Sequence, residues 1–177
     1  LMLKVWKPAV EKVKKDVAEM QAVVDAEKGN FKIAPWDYRY YAEKVRKAKY
    51  ELDFDLVKPY LQLEKFRQAM FWMAGRLYGL SFDKVSGVPV FDPEMTVYKV
   101  TRKGEFVGLW YFDPYARDAK DSGAWMSDYR PQYRLDGKDV KTIVSNNSNF
   151  IKGDSGEVLI EWDDANTMFH EFGHALH

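Results

Sequence analysis

The chain has 177 residues, with 27 lysines and arginines against 27 aspartates and glutamates, so its formal net charge is zero at pH 7. This balance, without an obvious basic patch, argues against a nucleic-acid partner. No run of about eighteen apolar residues occurs, so no membrane span is expected. The absence of cysteine excludes a disulfide framework. It is compatible with the cytoplasm, which we predict, or with the periplasm as the alternative.

Residues 1–80 predict a helical segment made of packed antiparallel helices. Apolar side chains recur three and four residues apart in three stretches, which is the pattern of an a/d seam. The first helix is expected to start or bend at Pro8 and to end at Gly29, the second to start at Pro35, and the third to end at Gly79. The seam positions are Leu3, Trp6, Val10, Val13, Val17, Met20 and Val24, then Tyr38, Tyr41, Val45, Ala48 and Leu52, then Leu63, Phe66, Met70, Met73 and Leu77. Aromatic residues make up 16% of the chain, including six tryptophans, and favour a large aromatic core over a ring-lined cleft.

Residues 81–162 predict a small, mostly antiparallel β-sheet with loops. Residues 96–101 alternate in polarity, Lys103 and Gly104 form a turn, and residues 105–112 are rich in β-branched and aromatic side chains, which together indicate a hairpin. Residues 142–144 and 158–160 are further short strands, and residues 113–126 a polar loop around small residues. With a last helix starting at residue 163, the fold class is mainly α, in an α+β arrangement.

The last helix, residues 163–177, has one apolar and one polar face. Two aspartates in its first turn meet the positive end of the helix dipole. The apolar face comprises Ala165, Met168, Phe169, Phe172 and Leu176, and the polar face Asp163, Asn166, Thr167, His170, His174 and His177. An exposed strand at the edge of the sheet beside this helix would hold an extended peptide by backbone hydrogen bonds.

The polar face carries the pattern H-E-x-x-H at residues 170–174. Histidines four residues apart lie on the same side of a helix, so His170 and His174 can bind one Zn²⁺ ion. Glu171 lies between them and can reach a water on that ion as a general base, which is the arrangement of zinc metallopeptidases. His177 is about 10 Å of helix rise from His170, too far to bind the same ion, so we expect a supporting role beside the ligands or a surface position.

A third protein ligand is missing, although catalytic zinc sites normally use three. Glu157 and Glu161 precede the helix and would have to fold back over its polar face. We therefore expect a piece of a longer enzyme, cut inside its active-site helix and lacking the C-terminal portion of the parent. A non-catalytic helical binding module and a structural metal-binding fragment remain as alternatives, the second disfavoured because a closed site takes four protein ligands.

The segment Met168–His177 resembles the F-H-E-F-G-H-x-x-H signature of the M3 (thimet oligopeptidase) family of zinc peptidases. Residues 34–50 and the stretch Tyr111–Arg117 are similar to the bacterial peptidyl-dipeptidase branch of that family. Ser148-Asn149-Phe150 also occurs in the family's order, after a strand and before the zinc helix. The resemblance covers nearly the whole chain but only the middle of a family member.

The resemblance implies zinc ligands at His170 and His174, a general base at Glu171, and substrate contacts near Gly123 and Ala124. It implies a larger zincin-like peptidase, a mostly helical two-lobed shell whose channel admits short peptides. The expected activity is hydrolysis of short oligopeptides with release of C-terminal dipeptides, and internal cleavage is the alternative within the class. The family's glutamate ligand, and the tyrosine and histidine that stabilise the oxyanion, lie downstream of this chain.

Overall fold

A computed structural model describes residues 2–50, 54–153 and 156–177. It divides the chain into two compact units, Leu1–Asp53 and Phe54–His177. In the described residues, no helix combines the length and the apolar character that crossing a membrane requires.

The first unit consists of two helices, α1 (Met2–Ala26) and α2 (Tyr38–Tyr50). The first helix ends near Gly29 as predicted, but it includes Pro8 instead of starting there. Only the C-terminal turns of its apolar seam are buried, where α2 packs, so the core is Met20, Val24 and Tyr41. The N-terminal part of the seam is exposed, contrary to the prediction: Leu3 is 89% and Trp6 69% accessible.

The second helix starts three residues later than predicted. Residues 35–37 form a turn, and the Asp37 carboxylate accepts a hydrogen bond from the Ala34 N–H at 3.0 Å. The Asp37 carbonyl accepts the first helical bond, from the Tyr41 N–H at 3.2 Å. Asp37 therefore fixes the start of the helix, and Pro35 lies in the turn before it. Leu52, predicted on this helix, lies outside the described residues.

The second unit contains the sheet and the remaining helices. Its elements are α3 (Phe54–Val57), a 3₁₀ turn (Lys58–Tyr60), α4 (Leu63–Tyr78), β1 (Leu80–Val85), β2 (Thr96–Arg102), β3 (Glu105–Tyr115), β4 (Trp125–Arg130), β5 (Tyr133–Leu135), β6 (Lys138–Val140), β7 (Thr142–Phe150) and α5 (Trp162–Leu176). Helix α4 ends at Gly79 as predicted, with the left-handed φ of 69° that glycine adopts without strain. Its buried side chains join the core of the sheet and not a third helical seam, and Leu77 is 63% exposed.

The five-stranded sheet has the order β1-β2-β3-β7-β4. The predicted hairpin is β2 and β3, and its turn residues Lys103 and Gly104 have φ of 51° and 83°. Three of the four pairings are antiparallel, whereas β3 and β7 are parallel. Strands β1 and β4 form the edges, and β5 pairs only with β6 in the described sheets.

Four strand predictions need correction. Strand β3 continues to Tyr115, three residues into the predicted loop. Strand β7 extends to Phe150, six residues beyond the predicted end at Val144. The segment expected to be loop at 125–126 begins β4. Residues 158–160 make a single bridge, between Leu159 and Gln62, instead of a strand.

The core of the second unit lies between one face of the sheet and helices α4 and α5. Trp110 and Phe172 are its central rings, 2% and 1% exposed, with centroids 5.5 Å apart in an edge-to-face arrangement. An aromatic core is therefore present. Most tryptophans do not belong to it: Trp6, Trp36, Trp72 and Trp162 are all exposed.

Candidate active site

Helix α5 lies over the sheet with one face buried and the opposite face exposed. At its start the Glu161 N–H donates to the Asp164 carboxylate at 2.9 Å, which satisfies a backbone donor that the helix leaves open. Ala165, Met168 and Phe172 are buried, as their spacing predicts. Because the apolar side faces the sheet, the histidines are turned outward.

The two histidines of the motif are close to each other on the exposed face. Their Nε2 atoms are 3.1 Å apart and their rings are nearly perpendicular, at 85°. Two nitrogens bound at about 2.0–2.1 Å to a tetrahedral zinc would be about 3.3–3.4 Å apart. The side chains of His170 and His174 therefore fit two ligand positions of such an ion with little rearrangement. Without an ion, a hydrogen bond between the rings accounts for the same distance.

No third ligand accompanies the pair: in the described residues, no three or more His, Asp or Glu side chains form a group that could hold a metal ion. The two glutamates considered from the sequence are engaged elsewhere. The Glu157 carboxylate accepts from Gln62 Nε2 at 3.0 Å, and the Glu161 carboxylate is 3.5 Å from Lys58 Nζ. His177 is exposed at the helix end, where its N–H donates to the Gly173 carbonyl at 3.1 Å.

Gly123 and Ala124 border a cavity of about 320 Å³ beside α5. Its other walls are the end of β7, at Asn149 and Phe150, and the helix at Thr167. Thr167 is one turn before His170. A second, larger cavity of about 930 Å³ borders the other end of the helix, and Gly173, His174 and His177 are among its lining residues. The structure thus brings the two loop residues to the side of α5.

Two polar side chains hold the loop that leads to Gly123. The Lys120 ammonium, 3% exposed, donates to the carbonyls of Asp113 and Tyr115 at 2.9 and 2.8 Å. Asn149 Nδ2 donates to the carbonyls of Asp121 and Gly123 at 2.7 and 2.8 Å. Side-chain donors, and not hydrogen bonds between strands, therefore hold the backbone of this loop in place.

The lysine belongs to a compact charge cluster. Asp113 is nearly buried and pairs with Arg117 through two hydrogen bonds, at 2.7 and 2.9 Å, and with Lys120 at 3.1 Å. Burial lowers the pKa of Lys120, an effect that the ion pair with Asp113 opposes. The hydrogen bond to Asp113 raises the pKa of Arg117. The sequence signal for this cluster was a run of opposite charges in a loop.

Sequence reasoning also missed Asn146, a buried residue of β7. Its Oδ1 accepts from the Trp110 indole N–H at 2.6 Å, and its Nδ2 donates to the Glu171 carbonyl at 2.7 Å. The only available signal was a polar run, Ser145 to Ser148, continuing an apolar strand. The predicted strand ended at Val144, whereas the structure continues β7 through these four residues and buries them all.

Comparison with known proteins agrees with these observations. The model of peptidase family M3 matches residues 1–177. The chain is 38% identical to the dipeptidyl carboxypeptidases of Salmonella typhimurium and Escherichia coli, over 96% of this chain and 25% of each relative. It is 34% identical to oligopeptidase A of Salmonella typhimurium, over 92% of this chain and 24% of that protein.

The chain thus spans about a quarter of the length of the curated relatives that it matches. Within that quarter the family model covers every residue, including the H-E-x-x-H helix and the Gly123–Ala124 loop. The chain therefore belongs to peptidase family M3.

Proposed function

We propose that this chain is part of a zinc metallopeptidase that hydrolyses short oligopeptides and releases dipeptides from their C-terminus. The observation that carries the proposal is the exposed pair of imidazoles, 3.1 Å apart, with Glu171 between them on one helix. Similarity to dipeptidyl carboxypeptidases supports the dipeptide product, and similarity to oligopeptidase A keeps internal cleavage as the alternative. Cytoplasm is the compartment we propose, with the periplasm as the alternative.

His170 and His174 would hold the zinc ion, and the third ligand would come from polypeptide outside these 177 residues. When bound, zinc lowers the pKa of a water and polarises a carbonyl oxygen. Glu171 directly follows His170, lies three residues before His174 and is half-buried. Its carboxylate would accept a proton from the attacking water and deliver it to the nitrogen of the leaving amine.

The substrate would lie along strand β4. This strand is an edge of the sheet, so one side of its backbone is unpaired in the described sheet, and an extended peptide can add to it. Strand β4 contacts α5, and Gly123 and Ala124 lead directly into it. A peptide bound there would have main-chain bonds for affinity and would lie beside the histidine helix.

Substitution of the base tests the proposal. In the full-length protein, Glu171→Gln keeps the side-chain volume but cannot accept a proton, so hydrolysis of a quenched peptide should fall by about 10²–10⁴-fold. Zinc content by elemental analysis should stay unchanged. Glu157→Gln is the matched control and should keep full turnover.

Mass spectrometry of the products distinguishes dipeptide release from internal cleavage. Retained turnover in Glu171→Gln would remove the general-base assignment. If the unsubstituted protein binds peptides without cleaving them, the chain is part of a binding module. Zinc bound tightly without turnover would instead indicate a structural metal site.

A further inference from the structure

Asn146, a buried residue, makes a polar link between the sheet and α5. This residue lies on β7, opposite Phe112 of β3 and Met126 of β4 in the register, and is 4% exposed. Its amide bonds the Trp110 indole at 2.6 Å and the Glu171 carbonyl at 2.7 Å. A single side chain therefore connects the central ring of the core to the turn of α5 that bears the H-E-x-x-H motif.

The two groups that Asn146 bonds, the Trp110 indole and the Glu171 carbonyl, determine which side chain can make both bonds. An indole N–H can only donate, and a backbone carbonyl can only accept, so the linking group needs an acceptor and a donor at once. The carboxamide of asparagine offers both an acceptor and a donor, and it does so at any pH because it does not ionise. An ionised aspartate offers acceptors alone. Loss of the bond to Trp110 would leave a buried indole N–H unsatisfied, which costs about 1–3 kcal/mol.

The other contacts between α5 and the sheet are mostly apolar. Met168 and Phe172 fill space well, but hydrophobic contacts are non-directional and tolerate small shifts of the helix. A hydrogen bond to the Glu171 carbonyl is directional and restricts both rotation and sliding of the helix. That matters for chemistry, because a displacement of about 1 Å at a reacting group can cost about 10²-fold in rate.

We propose that Asn146 is a positioning residue: through the Glu171 carbonyl it fixes the part of α5 that carries Glu171 and the histidine pair, His170 and His174. The inference rests on the proposed peptidase function. It predicts that Asn146 affects the rate of the chemical step more than peptide affinity.

Asn146→Asp in the full-length protein is the sharpest variant, since it changes one group and almost no volume. When ionised, the new carboxylate cannot donate to the Glu171 carbonyl, because both groups are acceptors. The helix then loses its directional link to the sheet, and kcat should fall by about 10–100-fold. KM should change less than threefold and zinc content should stay at the value of the unsubstituted protein.

The variant also has a pH signature. Burial favours the neutral form of a carboxyl group and raises its pKa, and the protonated acid regains a donor for the Glu171 carbonyl. The kcat of Asn146→Asp, divided by that of the unsubstituted protein, should therefore rise as pH falls. For Asn146→Ala, which has no donor at any pH, the same ratio should stay low and flat.

Two controls separate positioning from loss of stability. Met70 belongs to α4 and to the same core, so Met70→Ala leaves a cavity there. It should lower the unfolding midpoint at least as much as the Asn146 variants do, while kcat stays within threefold of the unsubstituted protein. In the zinc-free protein, the indole N–H resonance of Trp110 should shift in Asn146→Ala but not in Glu171→Gln.

The outcomes for Asn146 and for the proposed function are distinct. If Glu171→Gln is inactive while both Asn146 variants keep kcat and show a flat pH ratio, the positioning role is wrong and the peptidase proposal stands. If the unsubstituted protein has no turnover, both fail together. A loss confined to KM would also overturn the positioning role.

Discussion

His170 and His174 present two imidazole nitrogens 3.1 Å apart, whereas His177 lies at the last residue of the chain beside the helix end. We predict that His170→Ala or His174→Ala in the full-length protein weakens Zn²⁺ binding at least tenfold, because each removes a direct ligand. His177→Ala should change the dissociation constant less than threefold. Competition with a chromophoric chelator measures all three, and an equal loss in His177→Ala would place that residue among the ligands.

Substitution by alanine should change the stability of the fold in opposite directions at Gly79, which follows α4, and at Gly173, which lies inside α5. Gly79 has φ of 69°, a conformation in which a side chain is strained, so Gly79→Ala should destabilise the fold by about 1 kcal/mol. Gly173 lies inside α5, and a Cβ there meets no atom within 4 Å. Gly173→Ala should therefore stabilise the 177-residue chain by up to about 1 kcal/mol.

Urea unfolding of the two variants checks the opposite signs. A loss of stability in Gly173→Ala would show that the added methyl group meets structure in this chain. In the full-length protein the same substitution should lower peptidase activity, if substrate backbone passes close to the helix there.

At the scale of elements, the loop that leads to β4 depends on Asn149. Its amide holds the carbonyls of Asp121 and Gly123, and both bonds are near the surface. We predict that Asn149→Ala releases the loop at a cost of about 1 kcal/mol and raises KM for a peptide about fivefold, with less effect on kcat.

Hydrogen exchange supplies the structural readout for this variant. Backbone amides near Gly123 should exchange faster in Asn149→Ala than in the unsubstituted protein. Asn30→Ala, at an exposed asparagine after α1, is the control. An unchanged KM with faster exchange would remove the loop from the substrate site.

Helix α5 and the β2–β3 hairpin were predictable because each is specified by local pattern. Apolar spacing of three and four placed Met168 and Phe172 on the buried side, and the Lys103-Gly104 turn separated an alternating run from a run rich in β-branched and aromatic residues. Strand β7 was not predictable beyond Val144. Its buried polar residues are satisfied by partners far away in the sequence, such as Trp110 and Glu171 for Asn146.

The site shows the same division. The closeness of the two histidine rings follows from helical geometry and could be predicted from spacing, whereas the general-base role of Glu171 stays a prediction. The position of Gly123 beside α5 depends on the parallel pairing of β3 with β7 and on β4 adding at the edge. Neither pairing leaves a trace in local composition, which explains why the start of β4, residues 125–126, was predicted as a loop.

At the scale of the whole chain, every residue assigned to the proposed site lies in the second compact unit. That unit also holds the aromatic core, whereas the first unit buries Met20, Val24 and Tyr41 between two helices. A small helical pair gains little from burial compared with its ordering cost. Stability and proposed chemistry are therefore concentrated in residues 54–177.

Two buried tyrosines and one partly buried tyrosine of this unit make its stability sensitive to alkaline pH. Burial raises the pKa of Tyr98, Tyr111 and Tyr115 above the ordinary value of 10.0. A raised pKa means that the folded state keeps protons which the unfolded state loses. This stabilisation is fully present below pH of about 10 and is lost as the pH rises through the folded-state values.

Lys120 acts in the opposite direction, because burial lowers its pKa and the cost of keeping it charged disappears as pH approaches 10.5. Three tyrosines outweigh one lysine, so we predict that the free energy of unfolding falls above pH of about 10. Urea unfolding at a series of alkaline pH values measures this fall. Tyr98→Phe, at the least exposed of the three tyrosines, should make the slope shallower because it removes one of the groups that hold protons in the folded state. A free energy of unfolding that stays constant or rises across this range would contradict the assignment of the tyrosines as the dominant alkaline-sensitive groups.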